Sequence, residues 1–188
     1  MQISKLLPRM LVLALLLTPL AAKAQIAGLY ADFSTTSLSS SGSPRFNGGT
    51  LGFYDEVALK HSFSGLRIGG DARFSVEHAS QYGVSLGYDT FVLGPEVSLK
   101  TDITRLRPYA EVLFGGARAS AYYSGGFQGY IPGTNDFLSK NYGLIAFAGG
   151  ADVNLVPHLA WRAVEAEYGK FNGISSVTIS SGIVLRLQ

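Results

Sequence analysis

The closing segment of the chain, VTISSGIVLRLQ, places Val177, Ile179, Ile183, Leu185 and Leu187 on one parity and Thr178, Ser180, Gly182 and Arg186 on the other. Successive side chains of a β-strand point to opposite faces, so a period of two over this length is a strand with one apolar face. The pattern recurs in seven earlier stretches, with no helical stripe of useful length between them. Eight one-sided strands leave a narrow choice. Their apolar faces pack together across a sandwich, or they face lipid around a closed barrel.

The first stretch, from Gln25, sets Ala27, Leu29, Ala31 and Phe33 against Tyr30, Asp32 and Ser34, and a serine-rich loop follows from Thr35 to about Asn47. The second, near Gly49 to Lys60, opposes Leu51, Phe53, Val57 and Leu59 to Tyr54, Glu56 and Lys60. The third is the clearest, with Leu66, Ile68, Ala72, Phe74 and Val76 opposite Arg67, Asp71, Arg73 and Glu77. A polar break at His78 to Gln81 precedes the fourth, Leu86 to Lys100, where Phe91, Leu93, Val97 and Leu99 oppose Glu96, Ser98 and Lys100. The turn TDITRLRP opens the fifth, Tyr109 to about Ala119, and a glycine- and tyrosine-rich loop spans Tyr122 to Asn141. The sixth is Tyr142 to about Val153. In the seventh, Ala160 to Lys170, strict alternation puts Trp161, Glu165 and Glu167 opposite Val164, Ala166 and Tyr168, and FNGIS turns into the closing strand.

The N-terminus has the three parts of a secretory signal peptide: Lys5 and Arg9, an apolar run from Met10 to Leu20, and Ala22-x-Ala24 before Gln25. Residues 1–24 are therefore expected to be removed, leaving 25–188 as one domain. The apolar run is too short for a spanning helix, which needs about 20 residues. Lys5, Arg9 and Lys23 leave with the peptide, so 12 basic residues face 13 acidic ones, and no nucleic-acid partner is expected. There is no cysteine, which excludes a disulfide framework, a thiolate metal site and a cysteine nucleophile. Charged residues make up only 15% of the chain, too few for an ordinary solvated surface.

Strand length favours the barrel: stretches of about 10 to 13 residues exceed the usual soluble strand of about 5 to 6 and suit a tilted crossing of about 9 to 11. Breaks after the second, fourth and sixth strands read as short and those after the first, third and fifth as long, the turn and loop sides of an outer-membrane barrel. Phe33, Tyr82, Tyr88, Tyr109, Tyr122, Tyr142, Trp161, Tyr168 and Phe171 sit toward strand ends, where interfacial aromatics are expected. An even strand number lets the first strand pair with the eighth and leaves no open edge. The fold class expected is all-β, an eight-stranded antiparallel up-and-down transmembrane β-barrel.

With the signal peptide and eight amphipathic strands in place, the chain resembles the small outer-membrane β-barrel proteins of Gram-negative bacteria, the porin-family group that includes the OmpA transmembrane domain and OmpX. RPYAEVLFGGAR (Arg107 to Arg118) and WRAVEAEYGK (Trp161 to Lys170) are similar to its fifth and seventh strands, and the likeness runs from Gln25 to Gln188. The resemblance implies residence in the bacterial outer membrane, contact with its lipids and lipopolysaccharide, insertion by the barrel-assembly machinery, and a monomer. Members commonly end in an aromatic residue read by that machinery, whereas this chain ends Leu187, Gln188; the peptidoglycan-binding domain of longer relatives is not expected.

The face opposite lipid holds Asp32, Glu56, Arg67, Asp71, Arg73, Glu77, Glu96, Lys100, Glu111, Glu165, Glu167 and Arg186. An eight-stranded barrel has an interior that side chains just fill, so these charges are expected to pair in a structural network that plugs the lumen. No cofactor is expected, and His61, His78 and His158 have no metal-ligand spacing. The expected role is structural, with the Tyr122 to Asn141 loop offered to an unidentified partner. A narrow pore for ions or very small solutes is one alternative. The other is a lipid-modifying enzyme, because EHAS places His78 and Ser80 two apart and barrel lipid A deacylases carry a His-x-Ser pair with a supporting glutamate.

Overall fold

A computed structural model describes residues 25–40, 42–59, 65–81, 84–101, 105–123 and 137–187. The expected signal peptide, Lys60, His61, Tyr82, Gln188 and residues 124–136 of the aromatic loop lie outside the described residues. Eight strands follow one another: β1 Gln25–Leu38, β2 Phe46–Ala58, β3 Leu66–Gln81, β4 Val84–Leu99, β5 Leu106–Tyr123, β6 Phe137–Val156, β7 Leu159–Phe171 and β8 Ile174–Leu187. Each pairs antiparallel with its chain neighbour, and β1 pairs with β8 from Ala27↔Leu187 to Leu38↔Ser176, so the barrel is closed. Closure gives every strand two partners and removes the unpaired edge.

Alternation along each strand then separates two surfaces. Leu29, Phe33, Leu51, Phe74, Phe147, Ile183 and their neighbours point outward, and Phe33 and Leu51 each expose 64% of their surface. A continuous apolar girdle of this kind far exceeds the patches a soluble monomer tolerates, so hydrocarbon is its natural solvent. On β6 the girdle runs from Ile145 to Leu155. Ten steps of about 3.3 Å, tilted by about 35–45°, give a height of about 23–27 Å, which matches a barrel's apolar band of about 25 Å. The core lies inside, and its apolar part is built on Phe46, Tyr88, Val92, Leu113, Leu144 and Phe171.

The strands outrun the sequence expectation at the end away from the termini. β3 continues to Gln81, β4 begins at Val84, and β5 and β6 pair out to Tyr122↔Phe137. Outward positions there are polar (Asn47, His78, Ser80, Arg118, Asn141), so pairing persists where the apolar period that marks it has stopped. The expected contrast of short and long connections does not hold. Only two residues join β3 to β4, as at β6 to β7 and β7 to β8, while seven separate β2 from β3. Two-residue hairpins need a turn whose twist matches the strands, and Asn172 (φ 43°) with Gly173 (φ 81°) supplies positive φ at both central positions.

Two expectations about faces are also corrected. Tyr88, Tyr109 and Phe171 point into the barrel, and Tyr142 packs on the inner cluster, so the outward aromatics among those described are Phe33, Trp161 and Tyr168. Trp161 lies outside because β7 is bulged: its register against β8 jumps between Arg162↔Gly182 and Glu165↔Ser180. The extra residue puts both Arg162 and Glu165 inside and both Trp161 and Val164 outside, which strict alternation forbids.

Ile183 sits in the middle of the girdle. Ile183→Arg is expected to destabilise the bilayer-folded protein by about 2–4 kcal/mol, and Asn47→Arg, beyond the girdle, by about 0–1 kcal/mol, measured by urea unfolding in lipid vesicles. Equal costs at the two sites would place the girdle in water.

Candidate functional site

The lumen is layered. From the end that carries the termini inward it holds an ionic layer, then a layer of hydroxyls, then an apolar plug toward the β5–β6 end.

Three buried guanidiniums organise the ionic layer. Arg107 on β5 donates from Nε to Glu56 (3.1 Å), from Nη1 to Asp152 (2.8 Å) and from Nη2 to Glu96. Arg162 on β7 donates from Nε to the other oxygen of Asp152 (3.2 Å) and from Nη1 to Glu165 (3.2 Å) and Asp32 (3.4 Å). Arg73 on β3 donates from Nε to Asp71 (2.8 Å), and its Nη1 and Nη2 reach Glu165 and Glu111. Asp152 therefore joins Arg107 to Arg162, and Glu165 joins Arg162 to Arg73. Glu56 extends the chain to Arg67 (3.5 Å), and Glu167 meets Arg73 at 3.5 Å. Buried charges of both signs are tolerable only when paired and hydrogen-bonded, and this network pairs each arginine fork more than once.

Three tyrosines stack into it. Arg162 lies over Tyr30 at 3.9 Å from the ring centroid and over Tyr109 at 4.8 Å, and Arg107 lies over Tyr54 at 4.5 Å. Two of the hydroxyls serve the same groups: Tyr30 donates to Asp71 (2.8 Å) and Tyr109 to Glu165 (2.7 Å). Each ring covers a glycine directly across the strand pair, Tyr30 over Gly52, Tyr54 over Gly28 and Tyr109 over Gly150. A Cβ at any of these glycines would fall within 2.8 Å of the ring above it. The glycines are the floor on which the tyrosines lie, and the tyrosines hold the guanidiniums from the side.

Beyond this layer Thr36, Thr50, Ser75, Glu77 and Thr90 surround a cavity of about 10 Å³, the space of about one water. Thr50 and Ser75 bond each other at 2.8 Å and Thr36 meets Thr178 at 2.6 Å. Above it Phe46, Tyr88, Phe171 and Tyr142 form a file of rings 5.6–5.9 Å apart, packed with Leu113 and Leu144.

Of the residues expected in the network, Asp32, Glu56, Arg67, Asp71, Arg73, Glu96, Glu111, Glu165 and Glu167 are in it. Glu77 is buried among hydroxyls and makes no ion pair among the described residues. Lys100 is exposed just past the end of β4 and is not in the lumen, because the strand stops at Leu99. Arg186 faces inward at the mouth and has no carboxylate partner among the described residues. Asp152, Arg107 and Arg162 were missing from the sequence expectation. Asp152 was legible from its parity alone, but Arg107 sits where the sequence reads as a turn and Arg162 is brought in by the bulge.

Asp71, Glu96 and Glu111 bring one oxygen each within 4.8 Å of one another, and each carboxylate also holds an arginine. That arrangement locks strands together. His78 and Ser80 stand outward and exposed beyond the girdle, whereas Glu77, next to them in sequence, points into the lumen.

Arg162→Gln leaves Asp32, Asp152 and Glu165 without their shared cation and is expected to cost about 3–5 kcal/mol in urea unfolding, against less than about 0.5 kcal/mol for Lys100→Gln. Gly52→Ala drives a methyl into the Tyr30 ring and is expected to cost about 1–3 kcal/mol by the same measurement; no loss would mean that the ring does not lie on that glycine.

The sequence matches no protein-family profile and no curated protein. Solved structures do match in shape. The attachment invasion locus protein Ail of Yersinia pestis superposes with a TM-score of 0.56 at 14% identity, over 88% of this chain and 100% of that one. Neisserial surface protein A gives 0.54 at 14% identity over 86% and 96%, and a major outer membrane protein from Thermus thermophilus gives 0.54 at 13% over 87% and 100%. At such identities the fold is what is shared: the chain is a closed eight-stranded antiparallel barrel of the same form as these outer-membrane proteins.

Proposed function

We propose that this protein is an integral outer-membrane barrel with a sealed lumen, acting as a structural element of the membrane and through the rim and loops beyond its apolar girdle. The observation that carries the reading is the pairing of an outward apolar girdle with an interior packed by ion pairs, hydroxyls and stacked rings. A conducting barrel needs about 16 to 18 strands to leave a channel, and eight leave room for side chains. A narrow pore is therefore the weaker reading: ions crossing this lumen would have to pass the file of Phe46, Tyr88 and Phe171.

Orientation follows from the girdle. It reaches the turns at the end that carries the termini, while at the opposite end β5 and β6 rise several residues beyond Phe114 and Ile145. Short turns belong to the periplasmic side and extended hairpins to the exterior. Arg118 and Lys170 then stand outward just above the girdle, at the level of lipopolysaccharide phosphates. The barrel-assembly machinery would insert the chain, with β8 closing on β1 as the final pairing, and the protein would act as a monomer with no cofactor. A surface role is in keeping with two proteins of the same fold, one named for attachment and invasion and one for the neisserial surface.

The tests are heat-modifiability and conductance. The folded barrel is expected to migrate differently on detergent gels before and after boiling, and to give no unitary conductance in planar bilayers. Identical migration, with solubility in the absence of detergent, would sink the membrane reading, and resolved conductance steps would sink the sealed lumen. The lipid A of expressing cells is expected to show the same mass profile for wild type and His78→Ala, and a change lost in that variant would establish the enzymatic alternative.

A further inference from the structure

At the end that carries the termini, a pocket of about 390 Å³ opens between the β4–β5 turn, the β6–β7 turn and the last residues of β8. Arg67, Lys100, Arg105, Arg107 and Arg186 line it, and among the described residues no acidic side chain does. Arg107 spends its fork on three carboxylates and Arg67 reaches Glu56 at 3.5 Å. Lys100, Arg105 and Arg186 make no ion pair among the described residues. Arg186 is the telling member, since its Nε and Nη2 are both shut off from solvent and neither has a hydrogen-bond partner. Buried charged donors without an acceptor are unfavourable, so the pocket is completed by an anion that brings acceptors with it.

We propose that this pocket binds a phosphate group, carried by an anionic phospholipid of the adjoining leaflet or free in solution. Two guanidinium forks and an ammonium converging from three chain segments suit a tetrahedral oxyanion with several acceptor oxygens. The rim favours the lipid as the source. Leu106, Leu155 and Val156 line the same pocket and are exposed on the outer surface at the lower border of the girdle, so acyl chains lying on them place a headgroup against Lys100 and Arg186. The lipid source rests on the membrane reading above; the phosphate chemistry rests on the pocket alone.

The test uses the refolded protein in a non-ionic detergent without a phosphate headgroup. Native mass spectrometry with dihexanoyl phosphatidylglycerol is expected to retain one lipid per barrel in preference to dihexanoyl phosphatidylcholine. Arg186→Gln and, separately, Lys100→Gln are each expected to weaken retention about tenfold. Heat-modifiability of each variant confirms that it is folded, and Lys100, exposed beyond its strand, serves where Arg186→Gln fails to fold. Inorganic phosphate, followed by calorimetry, separates the sources: binding of phosphate with the same losses in the variants, and no preference for phosphatidylglycerol, assigns the pocket to free phosphate. Retention unchanged in both variants, or binding of neither probe by a heat-modifiable wild type, overturns the proposal. So does binding that emerges only in Asp102→Asn, which would mean that a carboxylate of the neighbouring turn fills the pocket. A wild type that is not heat-modifiable fails the membrane reading instead.

Discussion

The structure depends on one constraint: a guanidinium held away from water must be met by anions and π-faces. Arg162 shows this most plainly. It has no exposed surface, it is bonded to Asp32, Asp152 and Glu165, and it lies between the rings of Tyr30 and Tyr109. Those partners come from β1, β5, β6 and β7, so satisfying one side chain fixes the relative positions of half the barrel. Through Asp152 and Glu165 the same requirement is passed to Arg107 and Arg73, and the network then includes residues of β2, β3 and β4 as well. Strand register, which backbone hydrogen bonds alone would allow to slip, is pinned by this set of pairings.

The layering has a physical logic of its own. Lipid outside removes the hydrophobic drive that packs a soluble core, so specificity has to come from interactions that lipid cannot imitate. Ion pairs and cation–π contacts supply it in one half of the lumen. In the other half the stacked rings of Phe46, Tyr88, Phe171 and Tyr142 exclude water by close packing. Between them the hydroxyls of Thr36, Thr50, Ser75 and Thr178 bond one another and separate the charges from the rings. The lumen is also richer in carboxylates than in guanidiniums. Cations without a carboxylate partner among the described residues gather at the mouth, where Arg186, Lys100 and Arg105 line a common pocket.

Much of this was legible beforehand where period two held without interruption. In β3 from Leu66 to Glu77 and in β8 from Val177 to Leu187 the faces read correctly, and Ile179, Ile183, Leu185 and Leu187 all lie on the girdle. Legibility failed where a local rule was overridden. Trp161 was assigned to the wrong face and Arg162 was left out of the network because a bulge inserts one residue into β7, and no single-strand pattern announces a bulge. Tyr88, Tyr109, Tyr142 and Phe171 were read as interfacial because their position along the strand fits a membrane border, while their parity, which decides the face, points inward. The paired extensions of β5 and β6 were read as loop because polar outward positions carry no signal.

The amino-acid sequence by itself determined that there are eight strands, which of their faces are apolar and that the chain has an even number to close, because these follow from side-chain parity and from the lack of any alternative use for so many one-sided strands. Only the tertiary structure decided which charges meet, that tyrosines lie on glycines across the sheet, that the lumen is filled in layers and that Lys100, Arg105 and Arg186 share one mouth. Those depend on register and on a bulge, and both are set by contacts between strands far apart in the chain, where a shift of one residue exchanges every inside for an outside.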